Sequence, residues 1–380
     1  MKNDNSERNE VFRRAISGIW KSPLRISPSG LVHKSLCDWS CNISIGCNLG
    51  CGFCNVPEVS ANKQSAGLRE FGVRDPAAEW GSYVFLRDWD EGIFLKSLSD
   101  ARNTPQHELS PDGNCAVLFC TTSDPYQFIR HPDPARQNEL INHRHKIVRR
   151  ALELILKKSE LRVRILTRST LASTDFDLFK SFGNRLLFGM SLLTLNDTLA
   201  RVHEPNASPP SLRLATLREA KEAGLHVFVA ISPTYPECDE VDLRATLQAV
   251  HKLDPVTVFH EPINITARSI VRSRDAVDRL RGTNPELHYA HIPSGPFESW
   301  NNWLEYAIDS LRLVEALANE EGLKDRIHLW PDESLGSPSA VAHLSQYLGV
   351  SPRKHTNWLK KYWAKLSDWP GMQKGRTFLP

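Results

Sequence analysis

The feature that most constrains this chain is a run of three cysteines, Cys47, Cys51 and Cys54, within eight residues. Their C-x3-C-x2-C spacing puts three thiolates on one short loop, and thiolates are soft ligands that suit iron–sulfur clusters and zinc. Cysteines usually hold all four irons of a [4Fe-4S] cluster. Three close cysteines would leave one iron open to another ligand, so the spacing predicts a cluster with an open coordination site.

A zinc site with Cys37 or Cys41 as the fourth ligand is the alternative. Structural zinc prefers paired C-x2-C elements with a second pair downstream, and no such pair follows in this sequence. Under this interpretation the chain is a non-catalytic zinc or iron–sulfur protein. Five of the eight cysteines lie between residues 37 and 54, which does not resemble a spread disulfide framework.

The composition of the ends and the overall charge restrict compartment and partners. Residues 1–10 are polar and charged, without the apolar segment of a signal peptide. No apolar run reaches the roughly 18 residues that a membrane helix needs. We therefore expect no membrane association and a reducing, cytoplasmic location. The net charge of +3 gives no whole-protein argument for nucleic acid.

Strand and helix patterns alternate through the middle of the chain. An alternating run at 41–46 is predicted as the first strand, and five further strands are predicted at 115–120, 161–166, 186–192, 225–231 and 256–260. Helical spacing follows most of them, at 136–158, 175–182, 209–223 and 241–253. Such alternation implies βα units and a parallel sheet. The predicted fold is α/β, a partial (βα)6 TIM-like barrel that is open on one side.

Three regions follow from this pattern. We predict an irregular or partly helical lead-in over residues 1–36 and the barrel over 37–265, with an insertion at 67–113 after the cysteine loop. A C-terminal, mainly helical extension covers 266–380, with one further strand at 327–330.

The tail of the chain is basic and rich in tryptophan. From residue 351 it carries seven Lys or Arg against one acid, together with Trp358, Trp363 and Trp369. Basic residues interleaved with aromatics can bind single-stranded nucleic acid through charge and stacking. The alternative is an amphipathic helix that packs Trp358, Tyr362 and Trp369 on the barrel and leaves its lysines in water.

Polar residues follow the predicted strands, whose carboxyl ends would share one rim. Ser123 and Asp124 follow the second strand and could accept hydrogen bonds from an ammonium group. Arg168 follows the third and could bind a carboxylate through its two-pronged guanidinium. Ser191 ends the fourth and could bind a ribose. Each of these residues is also compatible with an ordinary turn, a helix cap or a solvent-facing side chain.

Taken in order, these strand-end motifs resemble the spore photoproduct lyase-related family of radical S-adenosylmethionine (radical SAM) enzymes. The resemblance covers about residues 41–264. It rests on the cysteine loop and on the runs Thr-Ser-Asp-Pro-Tyr-Gln, Leu-Thr-Arg-Ser, Ser-Leu-Leu-Thr-Leu, Glu-Pro-Asn-Ala-Ser and Ser-Pro-Thr-Tyr-Pro. It independently implies a partial barrel.

The resemblance also implies cofactors and a reaction. A [4Fe-4S] cluster on Cys47, Cys51 and Cys54 would bind the methionine part of S-adenosylmethionine (SAM) through its open iron. A one-electron donor such as flavodoxin or ferredoxin would reduce the cluster. SAM cleavage would then yield a 5′-deoxyadenosyl radical that abstracts hydrogen from an unidentified substrate, in a lyase, oxidoreductase or transferase reaction. The implied SAM contacts are Phe53 near the adenine, Ser123 and Asp124 at the amino group, Arg168 near the carboxylate, and Ser191.

The chain departs from spore photoproduct lyase itself at two positions. Asn55 stands where that enzyme has a tyrosine after the last cluster cysteine, and Thr121 stands where it has a hydrogen-donating cysteine. Cys120 lies one residue earlier, and strand alternation would point it the other way. Cys120 and Cys238 are the candidate hydrogen donors. The chain is therefore predicted to catalyse a different reaction, and nucleic-acid repair or modification of the spore photoproduct lyase type is the alternative.

Overall fold

The computed structural model describes residues 15–29, 31, 36–105, 107–109, 114–263 and 299–367 of the 380-residue chain. The strands are β1 Ile16–Pro23, β2 Ile26–Pro28, β3 Trp39–Cys41, β4 Ser44–Gly46, β5 Tyr83–Asp88, β6 Ala116–Phe119, β7 Arg162–Thr167, β8 Leu186–Ser191, β9 Val227–Thr234, β10 Thr257–Pro262 and β11 Ile327–Leu329. The α-helices are α1 Ser65–Glu70, α2 Glu91–Arg102, α3 Pro134–Lys158, α4 Phe176–Ser181, α5 Asp197–His203, α6 Pro210–Glu222, α7 Glu240–His251, α8 Trp300–Glu320, α9 Pro338–Tyr347 and α10 Pro352–Ser367.

The larger sheet has eight strands in the order β11-β10-β9-β8-β7-β6-β3-β2. Every pair from β3 to β11 is parallel, and β2 adds to the edge in antiparallel register. Within the described residues β2 and β11 do not pair with each other, so the sheet stays open. The predicted α/β partial barrel is confirmed, and β11 extends it at the position predicted for one more strand.

The inner face of this sheet carries a cluster of buried apolar side chains. Side chains from successive strands meet there, among them Leu118, Leu187, Phe228 and Phe259. Gly189 makes room for one of them, because a Cβ at this position would lie 2.4 Å from the Phe228 ring. Arg164 of β7 is also fully buried and lies beside Leu118 and Leu187 in the strand register, so this face holds a cation as well.

The prediction of a single first strand at 41–46 is wrong. Residues 39–41 form β3 in the barrel sheet, and residues 44–46 form β4 in a second sheet of order β1-β5-β4. Asn42 lies at the crossing, where its Oδ1 accepts a hydrogen bond from the Thr121 amide at 2.8 Å. One residue later, the Ile43 carbonyl accepts from the Arg87 amide at 2.8 Å. The chain therefore passes from one sheet to the other immediately before the cysteine loop.

The lead-in is also not irregular or partly helical over its described part. It supplies β1, which pairs in parallel with β5 from the insertion, and β2. Trp20 of β1 packs against Phe71 and Phe85, with ring centroids 5.5 and 5.9 Å apart. This aromatic contact between distant segments stabilises the strand, and it is absent from any local sequence pattern. The predicted boundaries of the lead-in, the barrel and the C-terminal extension stay predictions.

The C-terminal extension is mainly helical over 299–367, as predicted. In α10, Leu359 is buried and the Trp358 indole donates a hydrogen bond to Glu315 of α8 at 3.1 Å. This contact agrees with the packed amphipathic helix at Trp358. The side chain of Tyr362 and all of 368–380, including Trp369, lie outside the described residues. None of the described helices combines the length and apolarity that crossing a bilayer requires.

Candidate functional site

The cysteine loop follows β4 and is anchored by hydrogen bonds on two sides. The Asn48 amide donates to Gln127 Oε1 at 2.7 Å, which ties the loop to the segment after β6. Asn206 Nδ2 donates to the Asn48 carbonyl at 2.8 Å, and the Gly52 amide donates to the carbonyl of His203 at the end of α5. The loop is therefore fixed over the carboxyl ends of the barrel strands.

The three loop thiols are withdrawn from solvent. Cys47 and Cys51 are buried, and Cys54 is half-buried. Burial raises the pKa of both Cys47 and Cys51, and the neighbouring loop thiols raise it further. Arg168 acts in the opposite direction on the pKa of Cys51. Because thiolates are the ligands, a cationic metal centre would have to favour their deprotonation.

The spacing of these thiols bears on the kind of metal group that fits. Within the described part of the chain, no three His, Cys, Asp or Glu side chains are gathered closely enough for one metal ion. Ligands of one tetrahedral zinc would lie about 4 Å apart, given Zn–S bonds near 2.3 Å. Each cysteine of a [4Fe-4S] cluster binds its own iron, so its sulfurs stand farther apart. The three-thiol donor set fits such a cluster.

Asp124 is buried between the ends of β6 and β7. Its Oδ1 accepts from Thr167 Oγ1 at 2.7 Å and from the Tyr126 amide at 2.8 Å, and its Oδ2 accepts from the Arg168 amide at 2.7 Å. Burial raises the pKa of Asp124, while these donors lower it. The charge of this carboxyl also raises the pKa of Cys47, because the structure places Asp124 near the cysteine loop.

Arg168 belongs to a buried ionic group. Its Nε donates to Glu204 Oε1 at 2.5 Å, and Arg213 Nη2 donates to the other oxygen of the same carboxylate. Burial alone would lower the pKa of Arg168, but the charge of Glu204 outweighs it and the pKa is raised. One carboxylate thus faces two guanidinium groups, which leaves a positive charge beside Cys51.

Phe53 and Tyr235 form an aromatic wall beside this charge. The guanidinium of Arg168 lies 5.4 Å from the Phe53 ring centroid, and the Phe53 and Tyr235 rings are 5.7 Å apart. Tyr235 stacks on His203 at 4.1 Å. Among the described residues, the Tyr235 hydroxyl and His203 Nδ1 are buried without a hydrogen-bond partner. A buried polar atom without a partner costs about 1–3 kcal/mol, so this wall fits a polar ligand.

The two predicted serines lie at the strand ends in different settings. Ser123 Oγ accepts from Ser44 Oγ at 2.9 Å, which joins the segment after β6 to the strand before the cysteines. Ser191 is buried at the end of β8, and its carbonyl accepts from Arg213 Nη1 at 3.0 Å. Each serine is therefore joined by one hydrogen bond to an element that surrounds the cysteine loop.

The two candidate hydrogen donors differ in position. β6 ends at Phe119, and Cys120 has a left-handed backbone with φ of 62°, so strand alternation does not set its direction as the sequence suggested. Its neighbours include Ser123 and Asp124. Cys238 instead donates to the Leu193 carbonyl at 3.7 Å and lines a cavity with Tyr235 and Tyr306. The structure brings Cys120, but not Cys238, to the predicted SAM contacts.

The cysteines of the zinc alternative lie in the barrel sheet or its inner core. Cys37 is buried in the inner apolar cluster and donates to Ser29 Oγ at 3.2 Å. Cys41 is buried in β3, where burial and the nearby Cys120 thiol raise its pKa.

The sequence analysis assigned no role to several residues of the site. Glu204 was visible only as part of a polar run, and Arg213 resembles any arginine on an amphipathic helix, although it is 1% exposed. His203 and Tyr235 come from different βα units. The available signals were a charged residue on the buried face of α6 and the runs Glu-Pro-Asn-Ala-Ser and Ser-Pro-Thr-Tyr-Pro, which contain Glu204 and Tyr235.

No protein-family model matches the chain. It is 31% identical over 253 residues to the uncharacterized protein ORF301 of Acidianus two-tailed virus, a match covering 65% of this chain and 74% of that protein. It is 32% identical over 145 residues to the uncharacterized protein MJ0683 of Methanocaldococcus jannaschii, covering 38% of this chain and 51% of that relative.

Solved structures of two spore photoproduct lyase variants resemble the chain with TM-scores of 0.54 and 0.53. The identities are 13% and 12%, and each match covers 84% of this chain and 83% of the solved chain. The second of these contains bound AdoMet and dinucleoside spore photoproduct. Such low identity shows a shared fold. The chain therefore belongs to the same protein family as ORF301 of Acidianus two-tailed virus, and it has the fold of spore photoproduct lyase.

Proposed function

We propose that the chain is a radical SAM enzyme in which Cys47, Cys51 and Cys54 hold a [4Fe-4S] cluster. The observation that carries this proposal is the buried three-cysteine loop over the carboxyl ends of a parallel partial barrel. The AdoMet bound by a spore photoproduct lyase of the same fold supports SAM as the second cofactor. When bound, such a cluster supplies the electron that cleaves SAM and so generates a radical able to remove hydrogen from a substrate.

The electrostatics of the site support an anionic cluster. A [4Fe-4S] group on three thiolates is negatively charged, and the group of Arg168, Glu204 and Arg213 is positively charged overall. This charge is buried, where solvent screens it little. Arg168 and Arg213 both lower the pKa of Cys51, although burial dominates in the unliganded loop. The protein thus supplies part of the compensation that the cluster needs.

The proposed SAM contacts follow from the remaining hydrogen-bond capacity. A carboxylate offers about four lone-pair positions, and three donors reach Asp124 within the described residues. Its Oδ2 keeps room for an ammonium group. Arg168 would hold the SAM carboxylate, Phe53 would flank the adenine, and Ser123 and Ser191 would complete the contacts. The unpartnered Tyr235 hydroxyl supports a polar ligand at this wall.

Cys120 is the better of the two proposed hydrogen donors. A thiol, not a thiolate, donates a hydrogen atom, and burial raises the pKa of Cys120 to about 12. Cys238 is equally protonated at neutral pH, since burial raises its pKa too. Cys120, however, neighbours Asp124, whereas Cys238 lies at the cavity lined by Tyr235 and Tyr306.

Anaerobic reconstitution with iron and sulfide, followed by dithionite and SAM, tests the proposal. We expect about four irons and four sulfides per chain and formation of 5′-deoxyadenosine. Replacing Cys47, Cys51 or Cys54 by Ala should abolish both. Cys37→Ala, a matched buried thiol in the inner core, should retain both. A protein that binds one zinc without iron or sulfide, and loses it in Cys37→Ala, would contradict the proposal.

A further inference from the structure

A small cavity lies against the cysteine loop, on the side of the second sheet. Its volume is about 220 Å³, which is below the roughly 300–1,000 Å³ of ordinary ligand pockets. Gly46, which precedes the first loop cysteine, and Thr122, which precedes Ser123, both line it. The cavity therefore adjoins the proposed SAM site and has room for a single functional group.

Two cations line this cavity, and its lining contains no carboxylate. Arg87 at the end of β5 is half-buried, and its guanidinium donates to Ser22 Oγ. Within the described part of the chain, no carboxylate lies within ion-pair distance of Arg87 or Lys63. Burial lowers the pKa of Arg87, and the nearby charge of Arg25 lowers it further. The cavity thus has an uncompensated positive charge.

The backbone after the cysteines positions the second cation, Lys63. Residues Pro57–Ala61 form a π-helical turn and Asn62–Gln64 a 3-10 turn before α1 begins. These turns bring Ala61, Lys63 and Gln64 to the cavity wall. Short π-helical segments are frequent at functional sites. Two cations and neutral polar groups, including Thr122 and Gln64, are the chemistry that binds an anionic oxygen group.

We propose that this cavity binds a phosphate group of the substrate, as a phosphate monoester or diester, through Arg87 and Lys63. The inference rests on the proposed function, because it assigns the cavity to the substrate of the radical reaction. A phosphate of either kind fits the size and charge of the cavity. A nucleic-acid strand and a small phosphorylated metabolite both carry such a group, and the choice of probe separates them.

Isothermal titration calorimetry at low ionic strength tests the inference with the full-length, cluster-containing protein. The probes are inorganic phosphate, ribose 5-phosphate, ribose and a short single-stranded DNA. Charge-assisted hydrogen bonds predict that Arg87→Gln weakens phosphate binding about 10–100-fold and Lys63→Gln about 5–10-fold. Arg87→Lys should recover part of the loss. Lys180→Gln, an exposed lysine on α4, is the matched control and should bind as the wild type does.

The outcomes separate the two proposals. Weaker binding of ribose 5-phosphate in both cavity variants supports a metabolite, and weaker binding of DNA alone supports a nucleic-acid strand. Wild-type affinity for every phosphate probe in Lys63→Gln and Arg87→Gln overturns the inference. Equal binding of ribose and ribose 5-phosphate overturns it too, where DNA binding is also unchanged in both variants. Formation of 5′-deoxyadenosine by the wild type is measured in parallel. If it fails while the cavity variants lose phosphate binding, the radical SAM proposal fails and the anion cavity stands.

Discussion

The two sheets of this molecule are assembled in opposite ways. In the barrel sheet, β6 to β10 are consecutive in the chain and each lies beside the next, with helices between them. In the three-stranded sheet, Ile16 pairs with Tyr83, and Ser44 pairs with Leu86. The first sheet is therefore the product of repeated local units, and the second joins three distant segments around an aromatic cluster.

This difference shows how the cysteine loop is held. The strand that precedes it belongs to the small sheet, whereas its hydrogen-bond anchors at Gln127, His203 and Asn206 belong to the barrel. The loop thus lies at the junction of two sheets whose stability has different sources. Buried ion pairs stabilise the barrel end, and aromatic packing and close backbone contact stabilise the other side.

The largest effect is expected at the barrel end, from Glu204→Gln. This change leaves Arg168 and Arg213 buried without their carboxylate, and breaking a buried ion pair costs about 3–5 kcal/mol. Urea unfolding of the unliganded protein should show a loss of that size. Glu160→Gln, whose side chain is 97% exposed, is the control and should change the unfolding free energy by less than about 0.5 kcal/mol. Equal stability of the two variants would contradict a structural role for the ionic group.

A smaller effect is expected on the small-sheet side, from Gly81→Ala. Gly81 has φ of 98°, and a Cβ there would lie 2.9 Å from Gly50 Cα in the cysteine loop. Gly72 has φ of 89° with open space around it, so Gly72→Ala reports backbone strain alone. We expect Gly72→Ala to cost about 1 kcal/mol and Gly81→Ala about 2–3 kcal/mol.

Iron content after reconstitution sharpens this comparison. Gly81→Ala should lower it, because the added methyl presses on the loop that carries the cysteines, whereas Gly72→Ala should not. If both alanine variants take up iron as the wild type does, the contact between Gly50 and Gly81 does not position the loop.

The last effect concerns pH and the buried thiols Cys47 and Cys51 of the cysteine loop. Because burial raises the pKa of Cys47 and Cys51, the folded protein without metal holds these protons more tightly than the unfolded chain. Their contribution to stability is full below the ordinary thiol pKa of about 8.5 and falls above it. The loss is at most about 1.4 kcal/mol per pH unit for each thiol.

Urea unfolding at several pH values measures that slope. A variant with Ala at both Cys47 and Cys51 should have a shallower slope, with Cys41 and Cys120 supplying the remainder, because burial raises their pKa as well. An unchanged slope would show that the loop thiols do not carry raised pKa values.

The barrel was predictable because its strands obey local rules. Strands read as alternating patterns or, where both faces are buried, as short apolar runs. The alternating segment at 161–166 falls on β7, and the predicted strand at 186–192 falls on β8. The small sheet was not predictable, since β1 is stabilised by contacts of Trp20 with residues more than fifty positions away. The division of 41–46 into two strands depends on the same distant partner, β5.

The residues of the candidate site likewise fall into those that the sequence identified and those that it did not. Cys47 and Arg168 were found because each directly follows a strand, and Asp124 because it lies in the segment after β6, since strand ends meet at one rim. Glu204 and Arg213 were missed because their meaning depends on burial around α6, which no spacing rule encodes. The cavity at Arg87 was missed for a third reason, since it combines strands of the small sheet with the turns after the cysteines and with Thr122 in the segment after β6.

The pairing of β1 with β5 has a consequence for the order in which the protein is made. β1 leaves the ribosome first, yet its partner ends at Asp88 and is synthesised much later. Until then the strand before the cysteines has no neighbour, so the loop cannot adopt its final shape. The repeated units from β6 onward do not require β1 as a partner. A shortened protein that begins after Pro23 would therefore keep those units, while its cysteine loop would lose the support of the complete three-stranded sheet.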